Sequence, residues 1–269
     1  MLPRTIIFLR HGESEENRIE KDRKKSTTLM GRIKGVILRS KTEHLDYDLL
    51  LSENGKNQAK MTGNYLKKQD IIFDAAFTSP YLRAIQTATS LGLGISWSIN
   101  NSLFERDWGI RWLNDRSKKF KKKFNQNVYF QGIEDGERLY TVALRARDFL
   151  NTIDKENYDN AIVVTHNEFI FVMKSIIEGI PVDEYLDDFK KNNLKNCSMI
   201  FYTRANPNNP DEIHLSYKWR KVISTIDDNG NWDNGNWIEV LSKRLYSEAE
   251  LEEKILKSEM KFSYRDLKI

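Results

Sequence analysis

One cysteine, Cys197, occurs in 269 residues, so no internal disulfide can form and a reducing, cytoplasmic setting is the expectation. No apolar run approaches the roughly 20 residues a membrane span needs, so no transmembrane segment is expected. The start does not read as a signal peptide: Thr5–Leu9 is apolar but short, and Arg10 and His11 follow at once. Histidine is scarce too, at four residues, and no His/Cys/Asp cluster has metal-ligand spacing. Neither a metal nor any other cofactor is expected. No nucleic-acid-binding motif is present.

What is present fits a chain with a hydrophobic core, at 39% hydrophobic and 30% charged residues, rather than a disordered one. The net charge of +4 is unevenly spread. Arg18–Lys41 carries nine Lys/Arg against two acids, a net of +7, and Arg116–Lys123 carries six with no acid. The remainder is net acidic. Two short basic segments point either to an anionic partner or to a lysine-rich solvated surface.

Thr5–Leu9 (TIIFL), Phe73–Thr78, Ala161–Thr165 (AIVVT) and Met199–Tyr202 (MIFY) read as buried strands. Between them lie helical patterns. Ser52 caps a helix to about Lys68 with Ala59, Thr62, Gly63 and Leu66 on one face. Ser79-Pro80 is expected to open a second helix, with Ser79 as cap. Leu139–Ile153 and Phe169–Ile177 supply two more, and Ser247–Met260 a terminal amphipathic one. Ile213–Lys218 is a further strand candidate. Strands that are continuous apolar runs, alternating with helices, predict an α/β fold with a mostly parallel central sheet flanked by helices on both faces. The chain, 1–269, reads as one domain with insertions at about 18–48 and 111–135 and a C-terminal extension from about 205 to 269. A short repeat, Gly230-Asn231-Trp232 and Gly235-Asn236-Trp237, is too small for a solenoid.

His11 and His166 each follow a β-branched apolar strand directly. Open α/β sheets bind ligands beyond the carboxyl ends of their strands, and packing does not explain two histidines placed there. His44 and His214 lack that context. Arg10 lies beside His11, and Arg83 falls in the first turn of the helix after Ser79-Pro80, where backbone N–H groups already favour an anion. Two imidazoles and two guanidinium forks suit one tetrahedral phosphate dianion.

Arg10-His11-Gly12-Glu13-Ser14 with Asn17 resembles the RHGES-x-x-N signature of the histidine phosphatase (phosphoglycerate mutase-like) superfamily. Further blocks are similar and in the family's order. They are Leu51-Ser52 with Gly55, Gln58 and Ala59; Ser79, Arg83-Ala84 and Gln86-Thr87-Ala88; Leu103, Glu105, Arg106 and Gly109; Gly136-Glu137 with Arg145; and Val164-Thr165-His166. Arg138 stands where Ser is usual, and Asn167 where Gly is common. The resemblance covers residues 5–205.

The resemblance implies a phosphohistidine on His11, with Arg10, Arg83 and His166 holding phosphate oxygens and Asn17 orienting the phosphate. It implies Glu105 as general acid and then base, with Asp107 and Glu168 as conceivable substitutes. Arg106 and Asn167 are candidates for the substrate rim, Arg106 equally for an exposed salt bridge. Trp108 and Trp112 read as core or pocket wall. The basic segments would lie at the pocket mouth, favouring a phosphorylated small molecule or a polyanion. Arg111–Asp135 has no Arg-Arg pair of the kind shared by the family's mutases. The expected activity is therefore a metal-independent phosphomonoesterase. The alternatives are a phosphoglycerate-type mutase, and a catalytically weak member that binds anionic partners.

Overall fold

The computed structural model describes residues 1–25, 46–107, 136–225, 232–240 and 246–256. The 111–135 insertion with its lysine run lies outside them, as do Trp108, Gly109, Trp112, His44, Gly230-Asn231, most of the 18–48 insertion and the end of the terminal helix candidate.

Ten strands are described: β1 (Thr5–Arg10), β2 (Ala75–Thr78), β3 (Ser98–Ile99), β4 (Asn160–Thr165), β5 (Met199–Thr203), β6 (Ala205–Asn206), β7 (Asn209–Ile213), β8 (Trp219–Thr225), β9 (Trp232–Asn234) and β10 (Ile238–Glu239). The main sheet runs β10-β8-β5-β1-β4-β2-β3, with β9 also on β8. Its β1, β4, β2 and β3 are parallel. β5 returns antiparallel to β1, and β8 antiparallel to β5.

The helices are α1 (Glu15–Lys25), α2 (Glu53–Lys67), α3 (Leu82–Ser90), α4 (Leu139–Lys155), α5 (Asn167–Glu178) and α6 (Val182–Lys191), followed by a terminal helix at 248–256. Alternation along the central strands sends neighbouring side chains to opposite faces. Ile6, Phe8 and Val163 pack with α4 and α5, through Val142, Phe149 and Phe169. Ile7, Leu9, Ile162 and Val164 pack with α2 and α3, through Ala59, Leu66, Ala84 and Ala88. Two apolar faces on continuous β-branched strands are why helices cover both sides, as the sequence predicts.

Two local expectations are corrected. The second helix starts at Leu82, not at Ser79-Pro80, because Tyr81 stays extended (φ −66, ψ 133) and makes no side-chain cap. The strand placed at Ile213–Lys218 is mostly a connection: β7 ends at Ile213 and β8 begins at Trp219. β8, β9 and β10, from the C-terminal extension, widen the main sheet.

Candidate active site

The centre of the site follows from strand register. Arg10 pairs with Thr165 and Thr78 with Val164, so β1, β4 and β2 end level. The next residue along each is His11, His166 and Ser79. His11 N–H donates to the Thr165 carbonyl at 3.0 Å and Ser79 N–H to the Val164 carbonyl at 2.9 Å, which carries the ladder one residue past the strands. The two imidazoles come within 5.1 Å, centroid to centroid. Both are buried.

His11 Nδ1 lies 2.7 Å from the Gly12 carbonyl oxygen. A carbonyl only accepts, so Nδ1 carries the proton and Nε2 keeps its lone pair. Burial, then the charges of Arg83 and Arg10, hold the His11 pKa well below the usual histidine range. His166 Nε2 is 2.8 Å from Ser79 Oγ, while its buried Nδ1 has no protein partner. Burial and then Arg83 depress its pKa as well. Ser79 Oγ also accepts from Tyr81 N–H at 3.3 Å, so it serves both the histidine and the turn into α3. Tyr81 stands edge-on to His166 at 5.0 Å and under the Arg83 guanidinium at 4.8 Å. Arg83 sits in the first turn of α3, as expected. Arg10 donates through Nη1 to the Leu194 carbonyl, and its buried Nε makes no hydrogen bond. Burial lowers the Arg10 pKa, against the pull of nearby Glu105.

The family blocks around these residues prove to be backbone supports, a role that sequence reasoning did not assign. Thr87 Oγ1 accepts from Gly12 N–H at 3.0 Å and Gln58 Oε1 from Glu13 N–H at 2.9 Å. Gln86 Oε1 accepts from Leu51 N–H at 2.7 Å. Ser52 caps α2 at Gly55 N–H and donates to the Glu13 carboxylate at 2.8 Å. Gly55 is needed for contact: a Cβ there would lie 2.1 Å from the Glu13 carbonyl oxygen. Asn17 accepts from Ser14 N–H and from Asn196 Nδ2, and Asn196 also donates to the His11 carbonyl at 3.1 Å. Cys197, at φ +57, turns its N–H onto the Arg10 carbonyl. Its thiol is buried, which pushes its pKa up to about 12.

Glu105 lies just beyond the short turn Asn101–Leu103 and is half-buried, with Oε1 accepting from Arg106 N–H at 3.0 Å. Arg145 fixes this segment. Its guanidinium donates to the carbonyls of Ser102 and Phe104, both at 2.7 Å, and of Glu105, and grips both oxygens of Glu137 at 2.9 Å. Arg106 is not on the rim. It is 0% exposed, with Nη1 on Glu168 at 3.2 Å and Nε on the Glu137 carbonyl at 2.8 Å. Its counter-charge sits 62 residues away and left no mark in local sequence. Asn167 opens α5 and donates to Asn193 at 2.9 Å, tying the His166 turn to the loop before β5. Asp107 is exposed, and His214 pairs with Glu212 on the surface. Among the described residues no group of three or more His, Cys, Asp or Glu could hold a metal ion.

Two buried imidazoles and two arginines thus lie together at the carboxyl ends of the central strands. The model of the histidine phosphatase superfamily, branch 1, matches residues 6–207. The chain belongs to that superfamily. The match ends one residue past β6, so β7–β10 lie beyond it. Similar curated proteins include an agropine synthesis reductase of Rhizobium rhizogenes, 27% identical over 78% of this chain and 42% of that protein. Another is a 2,3-bisphosphoglycerate-dependent phosphoglycerate mutase of Buchnera aphidicola, 31% identical over 46% of each. The chain therefore spans less than half the length of these curated relatives. Among solved structures, a mycobacterial glucosyl-3-phosphoglycerate phosphatase superposes with a TM-score of 0.58 at 18% identity, over 80% of this chain and 96% of that one.

Proposed function

We propose that this chain is a phosphomonoester hydrolase working through a phosphohistidine on His11. The carrying observation is the His11 tautomer: Nδ1–H is committed to the Gly12 carbonyl, and the depressed pKa leaves Nε2 an unprotonated nucleophile. In the first step Nε2 attacks phosphorus, the ester P–O bond breaks, and Glu105 gives its proton to the leaving oxygen. Attack makes the ring cationic, and the Gly12 carbonyl then accepts from a more acidic Nδ1–H. Arg10, Arg83 and His166 hold the nonbridging oxygens, with Asn17 at the edge. A phosphate dianion beside His166 favours its protonated form, so the second imidazole adds charge only when substrate is bound. In the second step Glu105 takes a proton from water, the hydroxide forms the new P–O bond, the P–N bond breaks, and phosphate leaves.

The basic segments favour phosphorylated small molecules carrying further negative charge, and the lone buried thiol suits a cytoplasmic setting. The mutase relative sustains a second reading, in which the phosphoryl group returns to a second hydroxyl. Product analysis separates the two. Hydrolysis gives one inorganic phosphate per alcohol released; a mutase gives an isomerised phosphomonoester with little free phosphate. His11→Ala should abolish both products, and turnover persisting in that variant would exclude the nucleophile. Binding of phosphorylated ligands by wild type without turnover would instead make the chain an anion-binding member.

A further inference from the structure

Glu168 is a buried carboxylate that the two steps above leave unused. It stands two residues after His166, in the first turn of α5. One oxygen, Oε1, accepts from Arg106 at 3.2 Å, and the other, Oε2, is buried without a hydrogen bond. The groups facing it are Arg106, Glu105 and Glu137 from the neighbouring segments and Tyr185 from α6. Arg106 is the residue whose backbone N–H binds the Glu105 carboxylate, and its Nε is anchored on the Glu137 carbonyl. The path from Glu168 to Glu105 is thus one fully buried guanidinium and one peptide unit.

We propose that Glu168 is a positioning residue for Glu105: through the buried Arg106 it fixes the Glu105 carboxyl where it can reach the leaving oxygen. This deepens the hydrolase reading and rests on Glu105 being the acid. Two arguments support it. A buried arginine needs a counter-charge, and Glu168 supplies it at a site where loss of one partner frees the side chain to move. Arg106 is also held at both ends, its Nε on the Glu137 carbonyl and its backbone N–H on the Glu105 carboxylate, so a shift of the guanidinium is passed on to the acid.

Glu168→Gln keeps the shape and an acceptor for Arg106 but removes the charge. The Arg106 guanidinium, no longer held by a charge, should then place the Glu105 carboxyl less well. Hydrolysis of an alkyl phosphate, whose leaving group needs protonation, should fall about tenfold or more, with p-nitrophenyl phosphate changed much less. In an Arg106→Met background the same change should have little further effect on the ratio of the two substrates. Equal losses on both substrates would overturn the proposal and leave Glu168 a structural ion pair. Glu105→Gln is the control. If it shows leaving-group selectivity while Glu168→Gln does not, only the positioning role fails. If neither does, Glu105 is not the acid. If Glu168→Gln alone does, Glu168 is itself the acid.

Discussion

Replacing Gly55 with alanine tests how the nucleophile loop is held. A Cβ at Gly55 would lie 2.1 Å from the Glu13 carbonyl oxygen and 2.8 Å from Glu13 N. Both neighbours are backbone, so no side chain can swing away. To restore a 3.0 Å approach, the 12–14 loop must retreat from α2 by about 1 Å. That loop carries Gly12, whose carbonyl sets the His11 tautomer, and Ser14, which holds Asn17. Overpacking costs about 1–3 kcal/mol, while alanine in a helical turn returns about 1 kcal/mol relative to glycine. Stability should therefore fall by no more than about 2 kcal/mol, or roughly 4–8 °C in Tm for a chain this size. Nothing offsets the displacement of the reacting groups, where about 1 Å costs on the order of 100-fold in rate. Thermal melts beside kcat/KM on p-nitrophenyl phosphate should show a folded protein of slightly lowered Tm and about 1% activity. Activity within a few-fold of wild type would refute the tight-contact argument.

Arg145→Met should cost about 3 kcal/mol in denaturant unfolding, because it strands the largely buried Glu137 and three carbonyls; an unchanged midpoint would remove Arg145 as the clamp. His11 and His166 should stay neutral in NMR titrations through pH 6.5, since burial and the arginines depress both. A histidine depressed in the folded state stabilises above the unfolded value of about 6.5, and each loses up to about 1.4 kcal/mol per pH unit as pH falls below it. Melts from pH 7.5 to 5 should show that loss, whereas ordinary titration near 6.5 would contradict the site's electrostatics. Replacing Lys118, Lys119, Lys121, Lys122 and Lys123 with Ser should lower kcat/KM for bisphosphorylated substrates and flatten its salt dependence, sparing p-nitrophenyl phosphate. An unchanged substrate ranking and salt response would mark those lysines as solvated surface.

The central strands were legible because each is a continuous apolar run buried on both faces. His11 and His166 were legible because each ends such a run. Elements at the sheet's edge were not. β8 (WRKVIST) mixes charge with apolar residues because it lies beyond β5, toward the sheet edge. α1, highly charged, was read as part of an insertion, although α6 carried a helical signal in Tyr185, Leu186 and Phe189 that could have been found. Within the site, sequence fixed neither the Ser79–His166 contact nor the Arg106–Glu168 pair. Both join residues more than 60 positions apart, and only the folded register brings them together. Gln58, Gln86 and Thr87 were recognised as family positions, yet their work on loop N–H groups is visible only in three dimensions.

The central claim, a covalent phosphohistidine at His11, is tested most directly by rapid quenching of wild-type protein with ³²P-labelled substrate, then peptide mapping. The account predicts an acid-labile, alkali-stable label on the peptide containing His11, absent from His11→Ala and persisting longer in Glu105→Gln. Full turnover with no label on any quench timescale, or label on His166 instead, would contradict it.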